Sequence, residues 1–412
     1  MKLAVQWPRF GPYHQARLQA LHRFLEAQGL AMVGLETASR EDLYGWMPEA
    51  QESAFPRVTV FPGYTYESLT PRAIHAGVTA ALDRLQPDAV AINSYSLPDA
   101  RACLTWCRRH RRTAVLMTDT KADDAARVGW REHIKRRILN LYDAALVAGT
   151  PHRAYLEQLG FPSPCIFTGY DVVDNAFFTA GADAARTDPD GIRARLNLPR
   201  SPFFLASNRF IVRKNLDGLL RAYQRYRLQS TAAWPLVLLG DGPGRPALET
   251  LVRQENIDGV TFSGFIAPSD VPACYGLAGA FVHPALADQW GLVVNEAMAA
   301  GLPVLVSERA GCALDLVRDG ETGYRFDPND PDALALLMTR IAAPETDRRL
   351  MGRHARARIA HWSPDTFAEN LWAAVEAGTN RADRAFPLDA RALLRLLRFL
   401  TRSATSFHSV EV

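Results

Sequence analysis

The chain has 412 residues, the length of two ordinary domains, and 48% of them are apolar, enough for substantial cores. A formal charge of +3 gives no reason to expect a nucleic-acid partner. No run approaches the ~18 apolar residues that span a bilayer, and Met1 to Pro8 is too short and broken for a signal peptide.

Read in chain order, Leu3–Val5 is strand-like and Gln15 to Gln28 has helical periodicity. Ala89–Ile92, Ala114–Met117 and Ala144–Val147 have the character of buried parallel strands. Pro98 to Arg109 and Arg131 to Tyr142 read as helices between them. Residues 180 to 202 are rich in Ala, Asp, Pro, Gly and Arg, and they read as a linker with a short helix around Ile192 to Leu196. Strand patterns resume at Phe203–Leu205, Leu236–Leu239, Val260–Phe262, Ala280–Val282 and Val304–Val306. The alternation predicts two α/β halves with parallel sheets and a cleft between them, suited to a ligand bound at the strands' carboxyl ends.

Cys103, Cys107, Cys165, Cys274 and Cys312 are scattered and odd in number, so free thiols in a reducing cytoplasm are expected rather than a disulfide framework. Cys103 and Cys107 have helical spacing, and no second Cys or His pair completes a zinc site. Asp188-Pro-Asp190 has the Asp-x-Asp form of some metal sites, but its surroundings read as a turn. No metal and no cofactor are implied.

The most informative stretch runs from Asp288 to Pro303. Two carboxylates, Asp288 and Glu296, stand eight positions apart with Gly291 between them, and an Ala-rich helical run follows. A helix starting near Gly291 turns its free N–H groups and positive dipole end, at Gly291, Leu292 and Val293, toward the loop carrying Asp288. That end suits a diphosphate, and Glu296, one to two turns in, suits paired ribose hydroxyls. The plainer alternative is an amphipathic helix with two surface acids. Arg209 and Lys214 follow the strand ending near Ser207, where two cations and a helix end can stabilise a departing diphosphate; otherwise they are solvated charges before a helix. Gly240-Asp241-Gly242-Pro243-Gly244 has Arg at position 245, which argues against a dinucleotide fingerprint.

Ser207 to Leu216, Leu238 to Pro243, Val260 to Ile266 and Asp288 to Pro303, in this order and spacing, resemble the retaining glycosyltransferases of family 4. That family has the GT-B fold: two Rossmann-like α/β domains with parallel sheets facing a central cleft. The resemblance implies that Arg209 and Lys214 hold the donor diphosphate, that Gly240 borders the donor, and that the main chain at Phe265 and Ile266 meets the base. Glu296 corresponds to the ribose-binding Glu. Asp288 corresponds to the Glu beside the donor sugar, one methylene shorter, and Trp290 to a Phe. Gly311 to Val317 resembles a following Gly-Gly…Glu segment in which Cys312 replaces Gly.

The first half departs further from the family. Only Gly11 stands where relatives carry a Gly-Gly loop, with His14 close by as a second acceptor-side candidate. Met117 to Lys121 replaces a segment that usually contains His, so Asp119 or Lys121 takes a positioning role there; a cap or turn role for Asp119 is equally open. Gly169-Tyr170-Asp171 and Phe177-Phe178 resemble the end of the first domain. The implied organisation is 1–178 on the acceptor side, 179–200 as linker, 201–362 on the donor side, and helices in 363–412 returning toward the first domain. The implied activity is metal-independent, retaining hexosyl transfer from a nucleotide sugar, UDP-linked by expectation, to a glycan, lipid-linked or small acceptor. Asp288, Arg209, Lys214 and Asp119 form the catalytic set. A sugar-nucleotide epimerase of the same fold and a catalytically silent binding subunit are the alternatives.

Two basic amphipathic stretches remain. Trp130, Ile134, Ile138 and Leu141 share a face beside Arg131, Lys135, Arg136 and Arg137. Arg391, Arg395, Arg398 and Arg402 flank Leu393, Leu394, Leu396, Leu397 and Leu400. Packing of the apolar faces is the first expectation for both, and peripheral contact with an anionic membrane the second.

Overall fold

The computed structural model describes residues 1–40, 54–124, 126–381 and 393–394. The chain forms two compact units. Among the described residues, one comprises Met1–Val172 with Pro364–Arg381, and the other Val173–Ser363.

The first unit holds β1 (Lys2–Trp7), β2 (Ala31–Arg40), β3 (Arg57–Thr65), β4 (Ala89–Asn93), β5 (Thr113–Thr118), β6 (Ala144–Val147) and β7 (Ile166–Thr168). They form one sheet in the order β3-β2-β1-β4-β5-β6-β7, with every neighbouring pair parallel. Ala89–Ile92 and Ala114–Met117 are fully buried, as strands covered on both faces must be. The helix Pro364–Thr379 belongs here. It buries Phe367, Leu371 and Val375, and Asn370 Nδ2 donates to the Thr168 carbonyl at 3.0 Å. Arg381 follows it and donates to the Asp143 carbonyl at 3.1 Å, while the Asp143 carboxylate takes Arg108 Nη1, also at 3.1 Å.

The second unit holds β8 (Phe204–Ser207), β9 (Leu236–Leu239), β10 (Val260–Gly264), β11 (Ala280–His283), β12 (Val304–Ser307) and β13 (Gly323–Phe326), in the order β10-β9-β8-β11-β12-β13. All these pairs are parallel too. Phe204, Leu236, Leu238, Val282 and Leu305 from the strands pack with Leu219, Leu220, Tyr223 and Tyr226 of the helix Leu216–Gln229 and Met338 and Ile341 of Pro331–Ala342. Each such side chain contributes roughly 1.5–3 kcal/mol by leaving water.

The expected linker region holds two helices, one of them the short helix expected around Ile192 to Leu196. Residues 175–187 and 189–196 are helices, Asn175–Thr187 and Pro189–Leu196, and they belong to the second unit, which begins at Val173 rather than after 178. Ala182 and Ala185 are buried, and Gly276 packs so close to Ala182 that an added Cβ would lie 2.6 Å from its carbonyl oxygen. Small residues permit that approach and leave only a faint periodic signal. Asp188 is a helix cap rather than a turn residue: its Oδ1 accepts from the Gly191 N–H at 3.1 Å.

Trp130 is 63% exposed with the Arg131 guanidinium 5.3 Å from its ring centre, while Ile138 and Leu141 are buried. The second basic stripe lies outside the described residues except for Leu393 and Leu394.

Candidate functional site

Strand order reverses in the second sheet between β8 and β11, and ligands gather at such reversals beyond the carboxyl ends. The chain leaving β8 at Ser207 carries Arg209 and Lys214, and the chain leaving β11 at His283 carries Asp288. Asn215, in the left-handed region at φ 53°, ties the two loops together. Its Nδ2 donates to the carbonyls of Pro284 at 3.1 Å and Pro328 at 2.9 Å. Leu286 N–H adds a bond to the Arg213 carbonyl at 2.9 Å. Lys214 Nζ then lies 2.6 Å from Asp288 Oδ2, and His283 Nε2 lies 2.8 Å from the same oxygen.

The Asp288 loop is fixed from its other side. Gly311 and Cys312 donate their N–H groups to the carbonyls of Asp288, at 3.1 Å, and Trp290, at 3.0 Å. Cys312 therefore does not prevent the backbone approach expected of glycine. Trp290 is buried, donates Nε1–H to Asn295 Oδ1 at 2.9 Å, and stacks on Trp362 with ring centres 6.4 Å apart. Burial alone would raise the Asp288 carboxyl, but the Lys214 charge and the His283 hydrogen bond outweigh it and hold the group well below the usual carboxylate range. Burial lowers His283, and Asp288 only partly opposes this. A neutral imidazole facing an ionised carboxylate carries its proton on Nε2. Its Nδ1 is buried without a hydrogen-bond partner among the described residues.

The helix Leu292–Ala299 begins after Gly291, which adopts φ 102°. A Cβ at Gly291 would lie 3.3 Å from His283 Nε2 and 3.5 Å from Cys312 Sγ, so glycine answers both the backbone conformation and the crowding. Asp288 does not cap this helix. Leu292 and Val293 are half-buried in its first turn, where N–H groups point outward. Glu296 is 3% exposed, and its Oε2 accepts from the Tyr275 hydroxyl at 2.7 Å.

Gly240 follows β9 at φ 120°, where a Cβ would lie 2.0 Å from the Asn208 carbonyl oxygen. Its N–H donates to the Gly264 carbonyl at 3.1 Å, which aligns the ends of β8, β9 and β10. Arg209 is half-buried beside Asn208, Phe265 is 58% exposed at the rim, and Ile266 follows it half-buried. The glycine-rich turn folds back on Phe210, whose N–H donates to the Asp241 carbonyl at 2.9 Å and whose carbonyl takes the Gly244 N–H at 2.8 Å.

The first-unit candidates lie around β1 and β5. Gly11 precedes the helix Pro12–Glu26, and its N–H donates to His14 Nδ1 at 2.9 Å. Burial, then Arg17 and Arg9, pull His14 down to about 3, so the ring is neutral. Asp119 is half-buried just after β5, and Lys121 is buried with Nζ 2.6 Å from Asp123 Oδ1. At this sheet's own reversal, Trp7 Nε1 and Asn93 Nδ2 both donate to the Tyr170 hydroxyl, at 2.9 and 2.7 Å. All five cysteines are buried, and none forms a disulfide.

The second unit thus brings Arg209, Lys214, Gly240, Phe265, Asp288, Gly291 and Glu296 to the carboxyl edge of one sheet, while Gly11, His14 and Asp119 belong to the first. Sequence reasoning missed His283 and Tyr275. A lone His ending an apolar strand, Ala280-Phe281-Val282-His283, and a Tyr inside a short apolar helix give no signal of their own.

Residues 190–358 match the family of glycosyl transferases group 1. The chain is similar to the O-antigen chain mannosyltransferase B of Escherichia coli, 35% identical over 153 residues, which are 37% of this chain and 39% of that protein. It is similar to the GDP-mannose-dependent alpha-(1-6)-phosphatidylinositol monomannoside mannosyltransferase of Mycobacterium tuberculosis, 30% identical over 209 residues, 47% of this chain and 54% of that one. These matches span well under two thirds of either relative. The fold is that of Anabaena HepE, solved in complex with UDP and glucose, with a TM-score of 0.70 over 92% of this chain and 100% of that one at 16% identity. Both proteins have the two Rossmann-like domains of GT-B.

Among the described residues, no three His, Cys, Asp or Glu side chains gather as a metal-ligand group, and no helix is long and apolar enough to cross a membrane.

Proposed function

We propose that this chain is a glycosyltransferase that moves a hexose from a nucleotide sugar to an acceptor hydroxyl, with retention and without a metal. The observation that carries the reading is the Lys214–Asp288–His283 cluster beside the N-terminal end of Leu292–Ala299 at the sheet reversal. In the proposed reaction the bond from the anomeric carbon to the diphosphate breaks and its electron pair leaves on the phosphate oxygen. Arg209, Lys214 and the first helical N–H groups stabilise that charge in place of a metal. The acceptor oxygen takes the anomeric carbon, and its proton passes to the departing phosphate oxygen. Asp288, ionised throughout, faces the donor sugar, and Glu296 the ribose. Gly11, His14 and Asp119 are assigned to the acceptor side.

The donor base is where the relatives pull against the sequence expectation. Relatives similar at 30% identity or more over half or less of this chain include two kinds of mannosyltransferase, one of them named as GDP-mannose-dependent, but also a sulfoquinovosyl transferase and a D-inositol 3-phosphate glycosyltransferase, whereas the UDP complex is similar in fold. GDP-mannose therefore stands beside a UDP-linked sugar as the donor to test. A lipid-linked or glycan acceptor, a cytoplasmic location and contact of the Trp130 face with an anionic membrane complete the reading.

Calorimetry with GDP and UDP, then turnover of GDP-mannose and UDP-glucose with excess chelator, tests it. Transfer or slow donor hydrolysis that survives chelation, with retained anomeric configuration by NMR, is the expected result. An epimerised sugar nucleotide would favour the epimerase, tight binding with no turnover the silent subunit, and loss of activity restored by Mg²⁺ or Mn²⁺ would overturn metal independence.

A further inference from the structure

His283 belongs to the cluster that carries the donor reading but has no role yet in the reaction; it is fully buried, and its Nε2 bonds to the carboxylate at the centre of that cluster. Both Lys214 and His283 reach the same oxygen, Asp288 Oδ2. The Asp288 side chain is 13% exposed, so little of the carboxylate meets solvent. His283 sits at the end of β11, with Gly291 packed so near Nε2 that even a methyl group there would crowd it. The imidazole is thus fixed by the sheet, whereas Lys214 is a flexible side chain whose ammonium would turn toward a phosphate in the proposed donor complex.

We propose that His283 is a positioning residue for the transfer reaction: its Nε2–H holds Asp288 Oδ2 when Lys214 is drawn to the diphosphate, and so keeps Oδ1 aimed at the donor sugar. The inference rests on the donor reading above and deepens it. It also gives a physical account of the shorter acid. A Glu can reach the sugar from a mobile backbone position, whereas an Asp one methylene shorter has to be held at a fixed point, and the strand-borne His supplies that point. The buried, unpartnered Nδ1 is consistent with a ring kept for its Nε2 contact, since nothing in the protein interior rewards its other nitrogen.

The test compares His283→Gln with His283→Asn in the full-length chain. The Gln side chain places an amide N–H near the Nε2 position; that of Asn falls about one atom short. A merely structural role lowers the melting temperature of both and leaves turnover per folded molecule alike. Positioning predicts a difference: His283→Asn loses ~10–100-fold in kcat, the effect of removing one hydrogen bond to a charged group, and His283→Gln loses far less. The Kd for bare GDP or UDP stays within about twofold in both, because the diphosphate contacts remain. In an Asp288→Asn background, His283→Asn costs little further, the coupling expected of residues acting through one another. If the wild-type chain binds no nucleoside diphosphate, the donor reading fails and takes this inference with it. If the wild-type chain binds and turns over while both variants match it, or both fall equally, the positioning role is overturned and the donor reading stands.

Discussion

Lys214 and Asp288 are 74 residues apart in the sequence and 2.6 Å apart in the folded chain, Nζ to Oδ2. The contact joins the loops after the two strands that flank the sheet reversal, and each side chain is 13% exposed. Lys214 offsets a nearly buried carboxylate, and in the proposed reaction it also meets the donor diphosphate. Lys214→Ala should lower the melting temperature, because removing one partner of a largely desolvated pair strands the other. Arg209→Ala should melt close to the wild type. Both should lose ~10²–10³ in turnover if they stabilise the leaving diphosphate. Combining Lys214→Ala with Asp288→Asn should recover part of the melting temperature and none of the activity. Near-normal turnover in either single variant would remove it from the diphosphate site.

Asp288→Asn isolates the charge. The amide can still accept from His283 and Lys214, so the fold should survive with a small change in melting, while turnover falls by ~10² or more. The folded-state carboxyl is held below its unfolded value by Lys214 and His283 against burial. Its contribution to stability is thus complete above the unfolded value near ~4 and is lost as pH falls through the lower folded value. The rate profile should therefore show no acid limb near pH 4–5 that vanishes in Asp288→Asn. Finding such a limb would mean that the carboxylate titrates where this cluster forbids it.

What could be read in the sequence tracks where local pattern and final burial agree. Ala144–Val147 and Leu236–Leu239 are uniformly apolar, and the strands β6 and β9 have those bounds. In β2, Ala31–Arg40, the apolar pattern is interrupted by Gly34, Glu36 and Thr37, and the strand is not legible. Glu36 is nevertheless fully buried, because Phe10 N–H at 2.7 Å, Thr59 Oγ1 at 2.9 Å and the Arg57 guanidinium all reach its carboxylate from distant segments. The helix start at Gly291 was readable because a glycine, an acid before it and an Ala-rich run after it are local signals. His283 was not, because its significance lies in an oxygen five residues on, brought back by a turn.

Glu296 and Tyr275 supply the next measurement. The Tyr275 hydroxyl already donates to Glu296 Oε2 at 2.7 Å, so a ribose would share this carboxylate with the tyrosine. Hydrogen bonds to a charged acceptor are worth ~1.5–3 kcal/mol each, so Glu296→Gln should weaken binding of the bare nucleoside diphosphate by roughly ten-fold or more. Tyr275→Phe leaves the acceptor in place and should cost mainly stability, about 0.5–1.5 kcal/mol. Calorimetry on both variants decides. Unchanged affinity in Glu296→Gln would leave the carboxylate as the tyrosine's partner alone and move the ribose elsewhere.

His14 separates a structural from an acceptor-side role in the first unit. Its Nδ1 accepts from the Gly11 N–H at 2.9 Å, which requires that nitrogen to be unprotonated. Burial, with Arg17 and Arg9 nearby, holds the ring at about 3, against ~6.5 in the unfolded chain. Above pH ~6.5 both states are neutral and the contribution to stability is complete. As pH falls from there toward 3, the unfolded chain takes up a proton that the folded ring refuses, and stability declines. His14→Asn keeps an acceptor for Gly11 and has nothing to protonate, so denaturant unfolding at pH 7.5 and pH 5 should show a smaller loss in the variant than in the wild type. Equal losses would mean that His14 is not held neutral by its surroundings. Turnover at pH 7.5 supplies the second half of the decision. A residue whose only task is to close the first turn of Pro12–Glu26 leaves turnover intact when Asn replaces it. An acceptor contact through Nε2 cannot be reproduced by the shorter amide, so the KM for acceptor should rise while the KM for donor stays put.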